Sequence, residues 1–406
     1  MNNLLEKEII CEFPDWLKEK KECALENFYN LSNTPKEKFR DVIESMEFDN
    51  LENKNDFGNI ESYWDSEYKF VFGANDNIED GVIIKSLKEA IYENEELVKP
   101  YLNKNIFNSS DSRFTFLAEA LYNDGVFIYI PKDIEIKLPI HILKSIVNGK
   151  SKNFYKTLIV LEDNSKLTII DEYKSKNTKD FYLVSGINDI YLKDNAQLDY
   201  IHLQNFDYNA FNFSLQRANL SKNSKLNIFS LSLGSQFSYE NIRVYSNNTG
   251  ASSEILGLVL GNKEQVFQHE TLQDHLVGNS ESKLHFEVIL NDKAESSHNG
   301  FVRIEKQALQ TSAHQLIKNL LLSRKAKAEA IPNLEILADD VSCSHGVSLG
   351  PVNTEELFYL MSRGFDIKQA ENIIIEGNIE NIISKIKNTE LAENLRNYIL
   401  SEIKVK

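Results

Sequence analysis

The segments EDNSKLTII, KDNAQLDYI, SKNSKLNIF and GNSESKLHF each set a leucine just after an Asn-containing polar turn, at Leu167, Leu198, Leu226 and Leu284. The separations are 31, 28 and 58 residues, the last wide enough for two units, with NNTGASSEILGL filling the intervening slot. A chain that returns to the same corner and the same apolar residue roughly every 28–30 positions stacks its units, because a single short strand pair cannot bury its own apolar row. Runs such as GVFIYI, KTLIVL, DYIHL and LNIFSLSL, rich in β-branched and aromatic residues, supply the strands. A β-helix is expected; adjacent antiparallel hairpins in a sandwich are the competing arrangement.

On either side the texture is helical. In PDWLKEKKECALENFYNL, Leu17, Ala24, Phe28 and Leu31 recur near the helical period after Pro14 and Asp15, and a second run, SLKEAIYENEELVKPYL, is expected to end at Pro100. After Gly350, Asn353 with Glu356 resembles a capping box, Leu357, Leu360 and Met361 form an apolar stripe, and Gly364 closes the helix. Asp366 and Gln369 start the next helix, expected to end at Gly377, and a last amphipathic stretch carries Leu391, Leu395, Tyr398 and Ile399. Helices this short need a surface to pack on, either one another or a partner's groove. The divisions are 1–107 helical, 108–350 β-helix and 351–406 helical.

Composition narrows the function. Lys and Arg number 45 against 61 Asp and Glu, a net charge of −16, so the overall field repels a nucleic-acid backbone, and the small basic run at Arg324, Lys325 and Lys327 does not offset it. The opening MNNLLEKEIICEFPDW is too charged for a signal peptide and no apolar run is long enough to span a bilayer, so the chain reads as cytoplasmic. P-loop, dinucleotide and nucleophile-elbow motifs are absent. Cys11, Cys23 and Cys343 form no C-x-x-C pair, which excludes a disulfide framework or a self-contained zinc or iron–sulfur site. His269, His275, His285, His298 and His314 match no ligand spacing and read as structural or surface residues.

DDVSCSHG at 339–346 is the remaining chemical feature. Residues two apart in a strand project from one face, so Cys343 and His345 present thiol and imidazole together, a pair suited to iron or zinc, to nucleophilic chemistry, or simply to a buried packing role.

The stretch NLLLSRKAKAEAIPNLEILADDVSCSHG, then LFYLMSRGF, with QTSAHQ and HETLQDH upstream and PDWLKEKKECALENF near the N-terminus, resembles the SufB/SufD family of iron–sulfur cluster assembly proteins, its SufD branch in particular. The resemblance implies a right-handed parallel β-helix flanked by helices, working as a non-catalytic scaffold in a complex with a SufB-like paralogue and a SufC-like ABC-type ATPase. It places His345, and Cys343 beside it, at the paralogue interface as transient iron ligands, and docks the ATPase on the C-terminal helices, through Leu357, Phe358, Leu360, Met361 and Arg363. No stably bound cofactor is expected in the isolated chain, a transient iron–sulfur cluster is expected in the complex, and flavin dependence is open. A polysaccharide-active β-solenoid enzyme and a self-paired SufB-like scaffold are the alternatives.

Overall fold

The computed structural model describes residues 10, 12–30, 80–102, 112–122, 124–146, 152–175 and 181–405. Cys11 and Leu31 lie outside them. From β2 onward, strands alternate between two sheets in chain order. One holds β1 (Ile83–Ser86), β2 (Asp124–Ile130), β4 (Lys152–Leu161), β6 (Tyr182–Leu192), β8 (Ala210–Leu220), β10 (Phe237–Ser246), β12 (Val266–His275), β14 (Glu295–Ile304) and β16 (Lys327–Ile336). The other holds β3 (Ile140–Ile146), β5 (Lys166–Ser175), β7 (Gln197–Asn205), β9 (Lys225–Ser232), β11 (Ser252–Gly261), β13 (Glu281–Leu290), β15 (Thr311–Leu321) and β17 (Val341–Pro351). Only β1 runs antiparallel to its neighbour β2; the remaining pairs are parallel, which makes a parallel β-solenoid and excludes the hairpin sandwich.

Stacking puts like residues in columns. Leu167 pairs with Leu198 and Leu198 with Leu226, and all three are buried between the sheets among Ile159, Ile190 and Ala218. Leu284 departs from the expected column: it stands in line with Ile255 and Ile228, while Leu226 continues into Ser253 and Ser282. The step between rungs varies from 26 residues, Phe211 opposite Phe237, to 32, Glu295 opposite Lys327, so a fixed period slips by one same-face position. The corners carry an asparagine ladder in which Asn223 donates to Asn195, Asn195 to Asn164, and Asn164 to Asp133. Each of these corner residues has a left-handed backbone (φ from 54° to 64°), which Asn and Asp tolerate better than most residues. Gly250 takes the next corner because a Cβ there would stand 2.0 Å from Asn223 Oδ1.

Helices cover both outer faces. Helices α1 (Asp15–Asn30), α2 (Leu87–Glu93), α3 (Glu95–Leu102) and α4 (Arg113–Leu121) lie on the nine-stranded sheet, burying Leu17, Ala24, Phe28, Leu117 and Leu121 against Leu158, Leu183, Phe211 and Phe237. Beneath α4 sits a buried ion network: Glu119 accepts from Lys156 at 2.6 and 2.7 Å and pairs with Lys20 at 3.1 Å, and Lys156 reaches Asp189 at 3.1 Å, itself held by Arg217 at 2.7 Å. Burial opposes ionisation of Glu119, but Lys156, Lys20 and Arg217 outweigh it and hold the carboxyl well below its ordinary range. Burial drives Lys21 the other way, lowering its ammonium, which donates to the carbonyls of Ala120 and Tyr122 and lies 3.4 Å over the Tyr122 ring.

Several boundaries move. Helix α4 and strand β1 fall on opposite sides of the expected division at 107, and the solenoid begins at Asp124 rather than 108. Pro100 lies inside α3 instead of ending it. Helix α6 (Ile367–Ile383) runs through Gly377, and its capping box joins Asp366 and Gln369, whereas α5 (Thr354–Ser362) is capped by Asn353 accepting from Glu355 N at 2.9 Å. Gly364 terminates α5 as expected, with φ at 97°.

Candidate functional site at the last rung

The last rung is where sheet, thiol and imidazole meet. Cys343 and His345 lie on β17, paired in parallel with Ala313 and Gln315 of β15, so both project to one face of the strand. Their surroundings differ. Cys343 is half-buried against Val302, Ile304, Ala308, Ala313 and Ala338, while His345 is exposed. Burial pushes the Cys343 thiol above its ordinary value, with a backbone hydrogen bond from Ala313 acting against it. The thiol therefore stays protonated near neutral pH, unsuited to nucleophilic attack until a cation displaces its proton.

His345 opens into a cleft of about 370 Å³ lined also by His285, His314, Gln315, Ser344 and Lys385. In it, His314 Nδ1 bonds Ser344 Oγ at 2.7 Å and His285 Nε2 bonds Glu287 at 2.9 Å, with Lys385 on the other His285 nitrogen. His269, His275 and His298 are interior. His269 and His298 stack at 5.9 Å, His269 bonds Glu240, and His275 is held between Ser280 and Ser282. Burial lowers His298 to about 3 and His275 to about 4, keeping both neutral. Among the described residues no three His, Cys, Asp or Glu side chains are arranged to hold a metal ion.

Among the described residues, strands β16 and β17 have a neighbour on one side only, so the described solenoid ends in two open sheet edges. Around them Ile331, Ile336, Leu337, Val347 and Leu349 are exposed. Helix α5 follows β17 directly and buries none of its residues. Phe358 is 74% exposed and Met361 44%, Leu357 and Leu360 are half-buried, and the Arg363 guanidinium lies 5.1 Å from the Tyr359 ring. By contrast α6 and α7 (Thr389–Val405) bury Ile379, Ile382, Ile383, Leu391, Leu395 and Ile399 on Leu203, Leu231 and Leu258. Helix α5 thus presents an unpacked apolar stripe, and the first turns of α6 extend it with exposed Ile367 and Ile373.

Sequence reasoning brought Cys343 and His345 to one face, and the ladder agrees. It did not single out Gln315 or Lys385 as their surroundings. Gln315 carried a signal, since it stands thirty positions before His345, one rung back; Lys385 carried none, as its approach depends on how α6 and α7 dock.

Comparison with known proteins gives the context for this site. The family model of the SUF system FeS cluster assembly SufBD core domain matches residues 145–378, and that of the SufBD protein N-terminal region matches 19–142. An iron–sulfur cluster assembly protein SufD of Bacillus subtilis is 30% identical over 80% of this chain and 74% of its own length. A SufBD family protein of Synechocystis is 29% identical over 70% of the chain and 64% of its own, so the chain spans just under two thirds of that relative. A SufBD family protein of Staphylococcus saprophyticus is 26% identical over 74% of the chain and 64% of its own. Spanning solenoid and flanking helices alike, these matches establish that the chain belongs to the SufBD family of iron–sulfur cluster assembly proteins and is SufD-like within it.

Proposed function

We propose that this chain is a non-catalytic scaffold subunit of a SufBCD-type complex, in which a SufB-like paralogue covers the last rung and a nascent iron–sulfur cluster forms between them. The observation that carries this reading is the last rung itself, an open sheet edge with exposed apolar side chains where Cys343 and His345 share a face. An edge of this kind takes on another strand through backbone hydrogen bonds. His345 offers a neutral imidazole to iron, Cys343 becomes a thiolate only against a cation, and the other ligands come from the paralogue. The cluster is cargo built there and passed on.

Helix α5 docks the SufC-like ATPase through Phe358 and Met361, with Leu357, Leu360 and Arg363 around them. ATP then alters the last rung to the extent that it binds two states of the complex unequally. The polysaccharide reading is disfavoured because the cleft beside His345 has one lining carboxylate, Glu254, where glycoside hydrolysis uses two.

The test is co-expression of the full chain with a SufB-like chain and an ABC-type ATPase, followed by affinity capture and anaerobic iron analysis. Joint elution, with iron content that falls in His345→Ala while elution persists, is expected. Elution of the chain alone, or as a self-paired dimer indifferent to the paralogue, rejects the assignment.

A further inference from the structure

Gln315 lies on β15 in direct register with His345, on the same face, and both line the same cleft. Neighbouring strands are about 4.8 Å apart, so Gln315 stands directly beneath His345 in the column. Gln315 is 3% exposed, and its Nε2 donates to Gln273 Oε1 at 3.3 Å. Its Oε1 has no partner. A buried carbonyl without a donor is costly, so this oxygen calls for one. Among the described residues His345 makes no side-chain hydrogen bond, and it follows Gln315 in the same column of the sheet.

Across the interior, Gly300 on β14 makes the room. A Cβ there would stand 3.0 Å from Gln315 Oε1 and 3.4 Å from its Cδ and Nε2, so a side chain would press the amide aside by a few tenths of an ångström.

We infer that Gln315 is a positioning residue for His345: its Oε1 accepts one ring N–H of the imidazole, fixing a single tautomer and turning the other nitrogen's lone pair toward the incoming iron. This rests on the scaffold reading above, in which His345 is a ligand. Metal-binding histidines commonly donate their second ring N–H to a carbonyl or carboxylate, and losing that partner typically weakens metal binding about 10-fold or more. Gln273 stands behind Gln315 and fixes the amide in turn.

The readout is the tautomer. In the full chain labelled with ¹⁵N-histidine, the His345 ring signals are identified by their loss in His345→Ala, and their two-bond ¹H–¹⁵N pattern gives the tautomer. A single tautomer is expected in the native protein, and the mixture typical of free histidine in Gln315→Leu. Gln315→Glu is expected to restore the single tautomer, since a carboxylate accepts the same N–H, which a purely structural role would not predict. Gln315→Met, flexible and without an acceptor, replaces the Leu variant if that one does not fold. A native-like tautomer in both apolar variants, or a free-histidine mixture in the native chain, overturns the inference. Iron content of the complex is measured separately. A tautomer that responds while iron content does not would refute the scaffold reading and leave the positioning role standing; iron that depends on His345 with an unresponsive tautomer would do the reverse.

Discussion

The flank under α4 and the last rung at β16 and β17 solve opposite problems with the same sheets. Under α4 the chain covers its own surface and closes charge on charge, with Glu119, Lys156, Asp189 and Arg217 all at 3% exposure or less. At the last rung it leaves backbone groups, apolar side chains and an imidazole uncovered. A buried ion pair cannot lose one member cheaply, whereas an uncovered edge tolerates change until something docks on it. The contrast separates residues that hold the molecule together from those the fold leaves uncovered.

Four experiments break or sharpen that contrast. Glu119→Ala strands Lys20 in the interior without its anion and leaves Lys156 to share Asp189 with Arg217, and a loss of about 3–5 kcal/mol is expected in denaturant unfolding. A loss under about 1 kcal/mol would mean that water already reaches the network.

The interior histidines come next. His298 and His275 have folded values near 3 and 4, below the ordinary 6.5, so between those limits the unfolded chain binds protons that the native one refuses. Their contribution is whole above pH 6.5 and is lost as pH falls toward 4. For His275 alone this amounts to about 3 kcal/mol over the window. Unfolding measured at pH 7 and pH 4.5 is expected to show a pH dependence that flattens in His275→Asn; an unchanged slope would show that the imidazole is protonated in the folded state.

Changes outside the self-covered region are expected to spare stability and cost association. Leu357→Asp with Met361→Asp is expected to shift unfolding by no more than about 0.5 kcal/mol while weakening ATPase docking by at least about 30-fold. Native docking in a calorimetric titration would remove α5 from the interface. The smallest stability change is expected for Val347→Lys with Leu349→Lys, which adds charge to an edge that already faces water and keeps the paralogue away. Unimpaired co-elution would place the paralogue elsewhere.

How much of this was legible in the sequence depended on distance along the chain. The solenoid was legible because in-register stacking repeats a corner and a leucine, and Leu167, Leu198 and Leu226 do form a column. Leu284 was misplaced because rung length varies, which a period cannot anticipate. Cys343 and His345 share a face through the two-residue repeat of a strand, a local property. Lys20 and Lys21 are the opposite case. The sequence analysis singled out neither, yet both are buried, because Glu119, Ala120 and Tyr122 arrive from about a hundred residues later. The C-terminal helices were even in the sequence between packing and docking, and the structure divides them: α6 and α7 pack on the sheet, and α5 stays out.

The unpaired rows along β16 and β17 also bear on how such a chain is kept in a cell. A parallel edge strand, paired on one side and open on the other, accepts an extended segment of suitable register, including one from a second misfolded copy. A copy whose edge stays open is thus the one at risk of seeding aggregates, while a copy promptly covered is not. Rapid covering of that edge, or rapid degradation of uncovered copies, follows as a requirement set by geometry, before any demand of the chemistry.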